Sequence, residues 1–177
     1  MVGRVAVVVV GLIPALSVCA PAAFASHGKT AASGYLAYSN WSVCNGGLEQ
    51  GREGIVRAVN ILNAETDVNA SIGSCDSENV SAWSGSYPES WFGLTTCTAT
   101  GTNGRCGRKV VRLNSSAIFA SSNPAQQWNK TAIHEMGHVG GLGHRNVSSS
   151  CMASGEAPPI VAVFDSHDIA ELNATYV

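Results

Sequence analysis

Charge is what this sequence has least of: Lys, Arg, Asp and Glu make up 12% of its 177 residues, and ten basic against twelve acidic side chains leave a net charge of −2. Ser, Thr, Asn and Gly carry most of the polarity, which argues against a partner held by long-range electrostatics, nucleic acid above all. The one basic concentration, Arg105, Arg108, Lys109 and Arg112, reads as a solvated strand and loop. Beyond residue 25 there is no long apolar run, so no membrane contact is expected of that part. No two cysteines stand two to four residues apart, which disfavours a cysteine zinc site. Asp67, Asp76 and Glu78 form no recognisable calcium loop, so Ca²⁺ is unsupported. No internal repeat or low-complexity tract occurs.

What is present begins with an export signal at residues 1–25. Arg4 supplies the positive start, 5–18 is almost wholly apolar, and Ala23-Phe24-Ala25 is a small-x-small cleavage site. Pro14 and the small residues at its end keep this run short of a membrane-spanning helix. A lipid anchor on Cys19 is disfavoured by the bulky Val18 before it. The remainder, 26–177, is long enough for one domain that buries about two-thirds of its surface. A secreted monomer is expected. Export favours disulfides over free thiols, and five cysteines follow residue 25: Cys44, Cys75, Cys97, Cys106 and Cys151. An odd number leaves at least one free or paired between chains. Cys97 with Cys106 would close the short segment between them. Cys44 with Cys75 would leave Cys151 over, although sequence does not fix the connectivity.

Apolar spacing predicts a first strand at 35–43, a helix at 49–64, short strands at 68–72, 80–83 and 92–97, and a β-branched strand at 109–114. Gly51 and Gly54 weaken the start of the first helix. Asn123-Pro124-Ala125-Gln126 has a capping residue, proline at the first helical position and glutamine three after the cap. It opens a helix expected to run from 124 to 139 and to end at Gly140 and Gly141. Asp165 to Asp168 cap a last helix that holds His167 in its first turn. His27 has no context that makes it a ligand.

The chemistry concentrates in His134-Glu135-Met136-Gly137-His138-Val139-Gly140-Gly141-Leu142-Gly143-His144. His134 and His138 are one helical turn apart, so both imidazoles leave the same face and can meet one ion. Glu135 stands on the neighbouring flank, within reach of a water on that ion. A continuous helix would carry His144 too far away, so the chain must turn back. Gly141 permits the turn because glycine takes positive φ without penalty. Three neutral imidazoles leave a coordination position open for water, the mark of a catalytic zinc rather than a structural one. Glu135 would then be the general base. Two histidines one turn apart arise by chance on many surfaces, but Gly141 and His144 at the required spacing argue against coincidence.

These residues resemble the metzincin metallopeptidases, whose motif His-Glu-x-x-His-x-x-Gly-x-x-His is matched at every fixed position by 134–144. The resemblance implies that Met152, eight residues past His144, forms the Met-turn under the zinc. The last helix with Tyr176 is similar to the matrixin branch and Cys151 to the adamalysin branch, so no subfamily is assigned. Three features depart from the family. Arg145 is not a usual residue after the third histidine, Ser154 stands where some branches have tyrosine, and the stretch between Ala25 and the first strand is too short for a pro-segment.

The fold implied is α+β: a twisted mixed sheet with an antiparallel edge strand, a long active-site helix and a C-terminal helix. By the same resemblance Val110, Val111, Arg112, Leu113 and Asn114 are the edge strand or lie close to it, and bind substrate in extended form. The pocket beyond the scissile bond would be walled by 153–164, whose Pro158-Pro159-Ile160-Val161 suggests a hydrophobic preference. The expected activity is zinc-dependent endopeptidase action on extracellular proteins or peptides. A zinc hydrolase of cell-wall peptides, or an exported module that merely keeps zinc, are the alternatives. Glu135 argues against the module, because holding zinc does not need that carboxylate.

Overall fold

Helix α1 (Glu49–Glu65) owes its place to Ile55, Ala58, Val59 and Leu62, buried at i, i+3, i+4 and i+7 on one face. The glycine that weakens its start is explained by packing: a Cβ on Gly54 would lie 2.9 Å from the Cβ of Ala132 in the long helix α3 (Pro124–Val139), so the two helices meet closely there. These helices cover a sheet of β1 (Asn40–Gly47), β2 (Asn69–Ile72), β3 (Val80–Gly85), β4 (Gly93–Thr100) and β5 (Cys106–Asn114). Two further helices, α2 (Ser115–Phe119) and α4 (Ser166–Thr175), complete the computed structural model, which describes residues 34–101 and 105–176. The expected export signal at 1–25 and His27 lie outside the described residues.

The sheet order is β2-β1-β3-β5-β4. All pairs are parallel except β4 with β5, which makes the fold α+β with a mixed sheet and one antiparallel edge strand. Register places Val43 opposite Val80 and Ala82 opposite Val111, all fully buried. From α3, Trp128, Ala132, Ile133, Met136 and Val139 join the same core, which Met152, Phe164 and Leu172 extend beneath that helix. Among the described residues no helix is long and apolar enough to cross a membrane.

One expectation is corrected, and another is decided between its two alternatives. The first strand runs 40–47 rather than 35–43, because the backbone before Asn40 bonds elsewhere: Leu36 donates to Val139 and Cys106 donates to Tyr35. Val110, Val111, Arg112, Leu113 and Asn114 are in β5, which pairs with β3 on one side and β4 on the other. Its backbone groups are used within the sheet, and the edge strand is β4. The helix α2 was not expected. Asn114, the last residue of the expected strand, caps it by accepting from the Ser116 amide at 3.2 Å.

Both candidate disulfides form, Cys44–Cys75 and Cys97–Cys106, and Cys151 is free and buried. Two disulfides are compatible with an oxidising compartment. The basic concentration is dispersed by its partners: Arg108 pairs with Glu78, Lys109 is buried, and Arg105 donates to the Tyr35 hydroxyl at 2.9 Å.

Candidate metal centre

The site is assembled at the end of α3. Asn123 opens the helix by accepting from the Gln126 amide, and Pro124 takes the first position as expected. At the other end Leu142 donates to Gly137 and Gly141 donates to His138, the paired bonds of a Schellman turn. Gly141 has φ +93°, the left-handed conformation the reversal needs. The returning chain carries His144 back over the helix face.

The three ring Nε2 atoms converge. His138 Nε2 is 3.0 Å from His134 Nε2 and 3.1 Å from His144 Nε2. The other nitrogens are already committed: His134 Nδ1 is 2.7 Å from the Cys151 carbonyl and His138 Nδ1 is 2.6 Å from the Leu142 carbonyl. A carbonyl can only accept, so both rings carry their proton on Nδ1 and turn the Nε2 lone pair toward the other histidines. Facing lone pairs repel unless a cation lies between them. Tetrahedral ligation at about 2.05 Å would put such nitrogens roughly 3.3 Å apart, close to the separations seen. Burial, and then the neighbouring histidine, holds His134 well below the usual imidazole range, while burial brings His138 to about 4 and lowers His144. All three are neutral ligands at pH 7. The residues therefore fit a metal ion.

Glu135 is buried beside them. The Thr95 hydroxyl donates to its Oε2 at 2.7 Å, and burial nevertheless pushes its pKa up to about 8, the hydrogen bond from Thr95 opposing that shift. A Cβ on Gly93 would lie 2.5 Å from Glu135 Oε1, so only glycine leaves room for the carboxylate against β4. Met152 is fully buried under α3, its sulfur 2.6 Å from the position a Cβ on Gly137 would take. Its carbonyl accepts from the Arg145 amide and its own amide donates to Ser150 Oγ.

Arg145, the residue out of pattern, anchors this turn. Its guanidinium bonds Asp165 at 2.6 Å and the fully buried Asp168 at 3.0 Å, and Asp168 in turn accepts from Ser150. The α4 cap expected at Asp165 thus also ties the segment after His144 to the Met152 turn. His167 is in the first turn of α4 as expected. Although Asp165, His167 and Asp168 lie close enough to hold an ion, the two carboxylates already serve Arg145, Ser149, Ser150 and backbone amides.

A cleft of about 410 Å³ opens on the histidines. One wall is residues 90–96, the other Gln127, Lys130 and Thr131 of α3 with Ser154 and Gly155. None of Val110, Val111, Arg112, Leu113 and Asn114 lines it, and the apolar run 158–161 does not reach it either. Thr95, Gly93 and Lys130 were missed as site residues. Lys130 alone had a legible signal, being one helical turn before His134. No protein-family model matches the chain, and no curated protein matches it.

Proposed function

We propose that the protein is an exported, zinc-dependent endopeptidase of the metzincin kind. The observation that carries the reading is the convergence of three imidazole Nε2 atoms, two with tautomers fixed by carbonyls, beside a buried carboxylate at the mouth of a cleft. The donor set, three neutral nitrogens with one position left open, favours zinc over magnesium or calcium, which prefer oxygen. His134, His138 and His144 would hold the ion. When bound, zinc would supply Lewis acidity to polarise a scissile carbonyl and acidify the attacking water.

The protein's own residues do the rest. β4 pairs with β5 on one side only, and its Gly93, Leu94, Thr95 and Thr96 face the cleft. An extended peptide would lie along that edge as an added strand, held by backbone hydrogen bonds. Glu135, steered by Thr95, would take the proton from the attacking water and return it to the leaving amine.

Glu135→Ala tests the reading. Zinc content should remain stoichiometric while hydrolysis of casein falls by about 10²-fold or more, and unchanged hydrolysis would sink the mechanism. His144→Ala should lower zinc occupancy, and full occupancy would remove His144 from the site.

A further inference from the structure

The cleft wall opposite β4 carries a buried cation. Gln127, Lys130 and Thr131 stand at i, i+3 and i+4 on α3, and His134 follows one turn on, so all four project along one stripe of the helix. Lys130 is 2% exposed and Gln127 is 1% exposed. The Lys130 ammonium donates to the carbonyls of Gly155 and, at 3.3 Å, Glu156. No carboxylate is within ion-pair distance of it among the described residues. The nearest acid, Glu156, turns its carboxylate to the amide and hydroxyl of Ser122 and offers Lys130 only its backbone. Two neutral carbonyls take up two of its three protons, and the Glu156 carboxylate acts on its charge only from beyond ion-pair distance, in a cleft with a largely apolar lining.

A second polar group beside it is also unfinished. Gln127 Nε2 donates to Thr131 Oγ1 at 3.0 Å, while Gln127 Oε1 is buried without a partner among the described residues. Amide oxygen and nitrogen exchange places by rotation about the terminal bond. Rotated, the oxygen accepts from the Thr131 hydroxyl, and the NH₂ group occupies the position that now has no partner. The wall then offers a cation and an amide donor three residues apart on one face of α3, what a carboxylate requires and an apolar side chain does not use.

We infer that Lys130, assisted by Gln127, makes this cleft select substrates that place a carboxylate next to the scissile bond. The inference rests on the peptidase reading for its substrate, but the pocket itself can be tested without turnover. The carboxylate can belong to an internal Asp or Glu or to a peptide's free C-terminus, and the test separates them. This replaces the hydrophobic preference expected from the run 158–161.

Synthetic peptides paired as Asp against Asn and Glu against Gln at each position flanking the cleaved bond, in free-acid and amidated form, would be compared for kcat/KM. The zinc-loaded wild type should favour the acid over its amide by about tenfold or more at one position, the scale of a hydrogen bond to a charged group. Lys130→Met should bring that ratio to about one, and Lys130→Arg should keep a preference. Selection seen only in free-acid peptides assigns the C-terminal carboxylate, and selection that persists in amidated peptides assigns Asp or Glu. Equal ratios in wild type and Lys130→Met, or no preference in wild type, would overturn the inference while leaving the peptidase reading intact. Should Lys130→Met not fold, Lys130→Gln replaces it. Should the wild type cleave nothing, the peptidase reading fails, and calorimetric titration of zinc-loaded Glu135→Gln with the same peptides decides the pocket alone: tighter binding of the acids supports it, equal binding refutes it.

Discussion

Replacing Gly93 with alanine puts one methyl group against the carboxylate of Glu135, the proposed general base. The new Cβ would stand 2.5 Å from Glu135 Oε1, 2.6 Å from Cγ and 2.7 Å from Cδ. Carbon contacts are comfortable only from about 3.5 Å, so carboxylate and strand must separate by about 1 Å. Glu135 is 3% exposed, and the Thr95 hydroxyl holds its Oε2 at 2.7 Å, so moving the carboxylate toward the cleft would break that bond. Whether the edge strand β4 or the carboxylate yields, the 2.7 Å bond from Thr95 to Glu135 lengthens. A misplacement of about 1 Å costs roughly 10²-fold in rate, or about 2.7 kcal/mol in the barrier. Overpacking should cost about 1–3 kcal/mol of stability as well. The atoms nearest the added methyl all belong to Glu135 and none to the three histidines, so zinc measured by mass spectrometry should stay at one ion per chain while kcat/KM on a quenched peptide falls. Activity within twofold of wild type, at full zinc content, would refute the geometric argument for Glu135.

The remaining predictions follow from the supports of the site. Arg145→Met leaves Asp168 buried without its cation, and should lower unfolding free energy in urea by about 3 kcal/mol and weaken zinc retention; an unchanged midpoint would remove the anchor from the account. Metal-free protein should be most stable near pH 6.5. His138, held by burial at about 4, and the likewise lowered His134 and His144 contribute stability above pH 6.5 that is lost as pH falls toward 4. Glu135, raised by burial to about 8, has the opposite sign and loses its contribution as pH rises from 4.5 to 8. Three bases outweigh one acid below 6.5, so thermal scans in chelator at about pH 4.5, 6.5 and 8.5 should peak in the middle, and a peak at the highest pH would contradict the burial argument. Among the described cysteines, iodoacetamide should label Cys151 alone, and only after denaturation without reductant; native labelling of Cys151 would show that the thiol is not buried.

The core of the metal site was readable in the chain because its geometry is local. Helical periodicity alone puts His134 and His138 on one face, Asn123 and Pro124 mark where that helix begins, and Gly141 marks where it must turn. All of these hold in the structure. The long-range partners were not readable. Whether 92–97 or 109–114 forms the edge is a matter of which strand pairs on both sides, and strand order is not written in apolar spacing. Thr95 reaches Glu135 across 40 positions and Arg145 reaches Asp168 across 23. The spacing of Lys130 from His134 shows only that the two share a helix face, and its acceptors, the carbonyls of Gly155 and Glu156, come from a segment 25 residues away. Ligand spacing is a property of one helix, whereas the walls of the cleft come from segments that only the folded chain brings together.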